Sequence, residues 1–146
     1  MKNDKGYAVI TGDIVDSSKL TSSQRSRLLS ALKSSFNTIK DMMPDGIHAS
    51  FEIHRGDSFQ GVLTKPDTAF RAAIAIRASL RHGFKTKQRR YALDARIAIG
   101  IGSIDFLPAG RGSEGDGEAF RRSGQTLDEM KGDQRLIIRT PWREVD

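Results

Sequence analysis

Apolar residues cluster and alternate along 7–14 (Tyr7, Ala8, Val9, Ile10, Ile14), as a buried strand requires, and the run ends in the polar turn Asp16-Ser17-Ser18. Over 22–43 the period changes. Leu28, Leu29, Leu32, Phe36, Ile39 and Met43 recur at helical spacing, with Thr21, Ser22 and Ser23 available as an N-cap and Pro44-Asp45-Gly46 as a stop. Two short alternating runs, 49–54 and 58–63, flank Arg55-Gly56-Asp57. Glycine there permits the positive φ of a tight hairpin, with Asp57 at its tip. Pro66 stands at a first-turn position and opens a helix whose apolar face is Ala69, Phe70, Ala73, Ile74, Ile76, Ala78 and Leu80, closing near Gly83. A strand over 93–101, a glycine-rich loop, a helix over 117–130 and a last strand over 134–139 complete the chain.

The predicted order is βαββαβ with an added αβ, an α+β class fold of the ferredoxin-like, split βαβ plan. At 146 residues, with no internal repeat and no evident linker, the chain reads as one domain over 1–146. The absence of cysteine excludes disulfides, thiolate zinc sites, iron–sulfur clusters and cysteine nucleophiles, so any metal is held by oxygen or by histidine. No stretch approaches the ~20 apolar residues of a membrane span, and the start lacks a small-residue cleavage site; the expected location is the cytoplasm, with no membrane partner. The formal charge of +6 biases the surface mildly towards anionic partners such as nucleotides or nucleic acid. The densest basic run, 81–90, is expected to be a solvated loop.

In this order of elements the end of the first strand and the tip of the hairpin lie side by side at the centre of the sheet, so Asp13 and Asp57 are expected to face each other. Two close carboxylates repel unless a divalent cation lies between them, and a hard ion prefers one or two carboxylates with phosphate oxygens. The turn Asp16-Ser17-Ser18-Lys19 offers backbone N–H groups and hydroxyls to phosphates. Both aspartates are also ordinary turn residues, and spacing alone does not separate the two readings.

Four segments carry a resemblance. Thr11-Gly12-Asp13-Ile14-Val15-Asp16-Ser17-Ser18 resembles the first-strand motif of class III adenylate and guanylate cyclases, and Arg55-Gly56-Asp57-Ser58-Phe59 their hairpin Gly-Asp. The stretch 96–102 is similar to their later strand, and Gly115-Asp116-Gly117-Glu118-Ala119-Phe120 to the loop that opens their catalytic helix. The combination, with 116–127, is similar to the SatD family of small cyclase-like proteins. The resemblance implies a palm-like sandwich that binds a nucleoside triphosphate with Mg²⁺ or Mn²⁺, as a homodimer because class III sites form between protomers.

It implies metal ligands at Asp13 and Asp57 with the Ile14 carbonyl as a third. It implies phosphate contacts from Asp16, Ser17, Ser18, Lys19, Gly56 and Arg122, and base contacts from Ile53 and from Glu114 or Asp116. The catalytic asparagine and arginine of the cyclases fall at Arg121 and Gln125, so the transition-state arginine is missing and the purine-selecting position is an apolar Ile53. Loss of one preorganised charge stabiliser costs ~10²–10³ in rate, which implies weak cyclase activity or none.

A second reading keeps the fold as a non-enzymatic regulatory or dimerisation module, with nucleic acid as a partner for the basic excess. A third has the sheet stack single-stranded RNA on Tyr7, Phe51 and Phe59, residues that also fit a core. Three signals are discounted. Gly110 to Gly115 matches GxGxxG without an early βαβ context; His48, His54 and His82 lack metal-ligand spacing; and Trp142, which can stack a base, is expected to cover the core edge.

Overall fold

A computed structural model describes residues 6–83, 93–108 and 115–142. They form a five-stranded sheet with helices on both faces. The elements run β1 (Tyr7–Ile14), α1 (Ser22–Met42), β2 (Ile47–His54), β3 (Ser58–Leu63), α2 (Ala69–Gly83), β4 (Ala95–Gly102), α3 (Glu118–Glu129) and β5 (Leu136–Arg139). The sheet order is β2-β3-β1-β4-β5, in which β1 lies antiparallel between β3 and β4 and β5 adds parallel to β4. The predicted split βαβ is therefore present with its αβ extension.

Period-two alternation divides the sheet into two faces. Ala8, Ile10, Ile14, Phe59, Leu63, Ile97, Ile99 and Ile101 pack with the helical stripe Leu28, Leu32, Ile39, Ala72, Ala73, Ile76 and Leu80 of α1 and α2. Phe36 of α1 stacks on Phe51 of β2 at 4.9 Å between ring centroids. The opposite face is thinner. There Val9, Ala49 and Val62 meet Ala119 and Phe120 of α3. Helix α3 approaches β4 closely because Gly100 has no side chain: a Cβ at that position would lie 2.3 Å from the Ala119 carbonyl oxygen.

The starts of the helices follow local chemistry. Thr21 caps α1 in a capping box, its hydroxyl accepting from the Gln24 N–H while the Gln24 side chain accepts from the Thr21 N–H. Pro66 opens a 3₁₀ turn, Pro66–Thr68, before α2 begins at Ala69. Strand β4 begins two residues after the predicted start because Asp94 is committed to arginine contacts. Strand β5 begins at Leu136 because Gln134 closes a turn onto Lys131. No helix of the described residues is long and apolar enough to cross a membrane.

Candidate functional site

Near its end β1 presents Asp13 opposite Ser58 of β3 and Arg96 of β4. The pair Asp13–Arg96 is bidentate: Nε donates to Oδ1 at 3.0 Å and Nη2 to Oδ2 at 2.6 Å, while Nη1 donates to the Met130 carbonyl at 3.3 Å. The hydrogen bonds to Asp13 raise the Arg96 pKa above its ordinary value; partial burial opposes this, and the charges of Asp13 and Asp128 add to it. Asp57 enters from the hairpin. Its carbonyl accepts from the Ile14 N–H at 2.8 Å, and its carboxylate accepts from the Ser17 hydroxyl at 2.9 Å. Both aspartates are thus fixed at one end of the sheet by partners distant in sequence.

Backbone strain is concentrated at the same end. Asp16 (φ 58°) and Arg55 (φ 55°) are the non-glycine residues in the left-handed region among those described, one beside each carboxylate; Gly56 at φ 77° completes the hairpin turn. Lys19 lies 3.7 Å from Asp16, both exposed, and Ser18 is exposed beside them.

Asp94 braces this end from behind. Its carbonyl accepts from the Val15 N–H at 3.0 Å, and its carboxylate takes Arg77 Nε and Nη2 at 2.9 and 2.7 Å, with Arg81 at 3.5 Å and Arg135 at 3.9 Å. Burial alone would push the Asp94 carboxyl up. The Arg77 hydrogen bonds, the Ala95 N–H and the charges of Arg77 and Arg81 outweigh it and hold the carboxyl below its ordinary value.

Among the described residues no three His, Asp or Glu side chains converge. A cation held at this end would meet the carboxylates of Asp13 and Asp57 and the Ile14 carbonyl, hard oxygen donors of the kind that suit Mg²⁺ or Mn²⁺ with water and phosphate oxygens completing the shell.

The remaining predicted residues lie elsewhere. Helix α3 starts beside Ser103, crosses Thr11 through a 3.0 Å contact between the Thr11 and Ser123 hydroxyls, and ends where Arg96 reaches Met130. Arg121 pairs with Asp116 at 3.0 Å; Arg122 donates to the Ile101 carbonyl at 2.7 Å and to Glu118 at 3.3 Å. Asp116, Arg121 and Arg122 therefore sit at the Gly102 end of β4. In register that is six residues from Arg96, or about 20 Å at ~3.4 Å per residue. Gln125 is exposed part-way along, bonded to Glu129 at 3.3 Å. Within one chain these groups do not meet Asp13 and Asp57. Ile53 packs against the main core, and Glu114, with most of the GxGxxG segment and residues 84–90 of the basic run, lies outside the described residues.

The core alternative for Phe51 and Phe59 agrees with the structure: Phe59 is 1 % exposed and Phe51 stacks on Phe36, so neither offers a ring to single-stranded RNA. One sequence expectation is corrected: Trp142, expected over the core edge, is 58 % exposed. Sequence reasoning missed Arg96 as the partner of Asp13. The available signal was a lone arginine in an apolar strand that pairs with a strand carrying a lone aspartate. It also missed the open sheet face beside Asp13. Because Ile53 turns to the core, Glu52 and His54 stand on the other side, opposite Gln60 and Ser58. His54 Nε2 is buried there without a hydrogen-bond partner, 3.9 Å from Glu52.

The model of the SatD family matches residues 7–133. No curated protein matches the chain in sequence. Among solved structures, an adenylate/guanylate cyclase/hydrolase from Silicibacter pomeroyi superposes with a TM-score of 0.64 at 16 % identity, covering 86 % of this chain and 70 % of that one. The catalytic core of a rhodopsin-guanylyl cyclase with converted specificity, in complex with ATPαS, gives 0.61 at 17 % identity, covering 90 % and 77 %. The active GGEEF domain of a diguanylate cyclase from Vibrio cholerae gives 0.58 at 23 % identity, covering 92 % and 83 %. At these identities the likeness shows the fold, the α+β palm of nucleotide cyclase domains.

Proposed function

The chain belongs to the SatD family, and from that membership and the clustering at the Asp13 end we propose that it is a divergent cyclase-like domain that binds a nucleoside triphosphate through a divalent cation. One observation carries the reading: Asp13 and Ser17 from the end of β1 and Asp57 from the hairpin are fixed at one sheet end, with a left-handed non-glycine residue in each of the two segments. Left-handed non-glycine residues cost ~1–3 kcal/mol each and cluster at active sites, ligand clamps and switch regions. Asp13 and Asp57 would hold Mg²⁺ or Mn²⁺, which would neutralise phosphate charge. Ser17, Ser18 and Lys19 lie in the adjoining turn, and Arg96 is the neighbouring cation.

Cyclase activity is weak or absent in this reading. Arg121 and Gln125 replace the expected asparagine and arginine, and both lie away from Asp13. Bringing them to the same phosphates needs a second copy of the chain, which supports a homodimer as the working form. The cytoplasm is the proposed location and 1–146 the proposed single domain.

The test is a calorimetric titration of ATP and GTP with and without Mg²⁺ or Mn²⁺, on the wild type and on Asp13→Ala. Metal-dependent binding that disappears in the variant supports the reading. A second reading, a regulatory or dimerisation module without nucleotide, is favoured by the Arg96 guanidinium, which already engages both oxygens of Asp13. Absence of nucleotide binding under every metal condition selects it.

A further inference from the structure

At the opposite end of the sheet from Asp13 and Asp57 lies a cleft of about 620 Å³, within the range of small-molecule pockets. Gly102 and Ser103 at the end of β4, Asp105 just beyond, Glu118 and Arg121 at the start of α3, and Trp142 after β5 line it. Trp142 and Pro141 fall outside the stretch matched by the family model. We propose that this cleft is a second ligand site, independent of the metal end, that takes a planar nitrogen heteroaromatic ring, neutral or cationic, with Trp142 as the stacking platform.

Three observations support the proposal. First, the indole is 58 % exposed, yet the backbone carrying it is fixed: the Thr140 hydroxyl donates to the Trp142 carbonyl at 2.7 Å and accepts from the Trp142 N–H at 3.0 Å. An exposed aromatic on an ordered turn loses little entropy on stacking, and base–aromatic stacking contributes ~1–3 kcal/mol per base. Second, the polar lining accepts hydrogen bonds more than it donates. The Asp105 carboxylate has no hydrogen-bond or ion-pair partner among the described residues, and Glu118 shares only one oxygen contact with Arg122. The guanidinium of Arg121 is already engaged by Asp116. Third, among the described residues that line it, two carboxylates stand against one paired arginine, an acidic lining in a chain of formal charge +6. This favours N–H-bearing rings and disfavours phosphorylated ones.

Trp142 is the sole tryptophan of the chain, so its fluorescence reports this cleft alone. The experiment titrates the full chain, without metal, with adenosine and with guanosine, and then with ATP. The expected result is saturable quenching by at least one nucleoside, with ATP needing at least a fivefold higher concentration. The nucleoside midpoint should rise at least fivefold in Asp105→Asn. Asp105 is exposed and its carboxylate bonds no described residue, so the variant is expected to melt with the wild type. Quenching that stays linear, like that of free N-acetyltryptophanamide, overturns the proposal. So does an unchanged midpoint in Asp105→Asn. Failure of the nucleotide reading at the metal end leaves these outcomes unaffected, because the experiment contains no divalent cation.

Discussion

The two ends of the sheet handle charge in opposite ways. Where β1 finishes, three carboxylates are engaged: Asp13 by Arg96, Asp57 by Ser17, Asp94 by Arg77. Where β4 finishes, Asp105 has no hydrogen-bond or ion-pair partner among the described residues and Trp142 stands open over a cleft. At the first end a ligand that takes Asp13 must exchange with the Arg96 ion pair, while the Asp57 carboxylate accepts from a neutral hydroxyl. At the second, the described lining leaves the Asp105 carboxylate open to a ligand. The Asp13 and Asp57 motifs lie at the first end, while the cavity lies at the second, beside the family-like stretch 115–120.

The largest expected effect tests how firmly the first end is braced. Asp94→Asn leaves Arg77 half-buried without its charge partner, and breaking such a pair costs ~3–5 kcal/mol. Because the folded state holds the Asp94 carboxyl below its ordinary value, its stabilisation is complete above the unfolded pKa of about 3.9 and is lost as pH falls through the lower folded value. Urea denaturation at pH 7 should show the full loss, and the difference between wild type and variant should begin to narrow below about pH 4. An equal difference at pH 3 would remove Asp94 ionisation as the cause.

The next effect concerns the helix that joins the two ends. Gly100→Ala places a methyl 2.3 Å from the Ala119 carbonyl oxygen and 2.5 Å from the Ser123 nitrogen, both backbone atoms that cannot yield without moving α3. Overpacking of this kind costs ~1–3 kcal/mol. Gly102→Ala meets first the Arg122 guanidinium at 2.7 Å, the far end of a flexible side chain, and should cost less than the Gly100 variant. Thermal melts of the two decide it, and equal losses would mean that α3 is not seated by the Gly100 contact.

Most of the fold was legible because its elements follow hydrophobic period. β1 and β3 have the bounds that alternation predicts, and the stripe Leu28, Leu32, Ile39 is buried as helical spacing requires. Element ends were less legible where side chains have tertiary work, as at Asp94 before β4. At the site, the neighbourhood of Asp13 and Asp57 could be inferred from topology. The Arg96 pair was harder to read, since Arg96 and Asp13 are 83 residues apart and the signal, a lone arginine and a lone aspartate, depends on knowing first that their strands pair. Trp142 was misread for a similar reason: its position depends on a Thr140 turn that periodicity does not encode.

The Arg96 pair also sharpens the contrast between a neutralised and an open end. If the guanidinium competes with a metal for Asp13, Arg96→Gln should bind Mn²⁺ in the absence of nucleotide about 5–10 times more tightly, up to ~1.4 kcal/mol. Calorimetry with Mn²⁺ alone measures it. A weaker affinity in the variant would show that Arg96 orients Asp13 for the ion instead of excluding it.

The smallest effect isolates backbone strain from chemistry. Arg55 holds φ at 55° in the hairpin, is exposed, and has no hydrogen bond or ion pair to another described residue. A left-handed non-glycine residue costs ~1–2 kcal/mol, while glycine gives back roughly 0.5–1 kcal/mol through the greater freedom of the unfolded chain. Arg55→Gly should therefore stabilise the fold by about 0.5 kcal/mol, a shift visible in the midpoint of chemical denaturation. Glycine also frees the turn that carries Asp57. If the strained hairpin preorganises that carboxylate, the stabilised variant should bind metal and nucleotide more weakly than the wild type. If both stability and binding rise, the strain at Arg55 is incidental, and the Asp57 position is fixed by the Ile14 and Ser17 bonds alone.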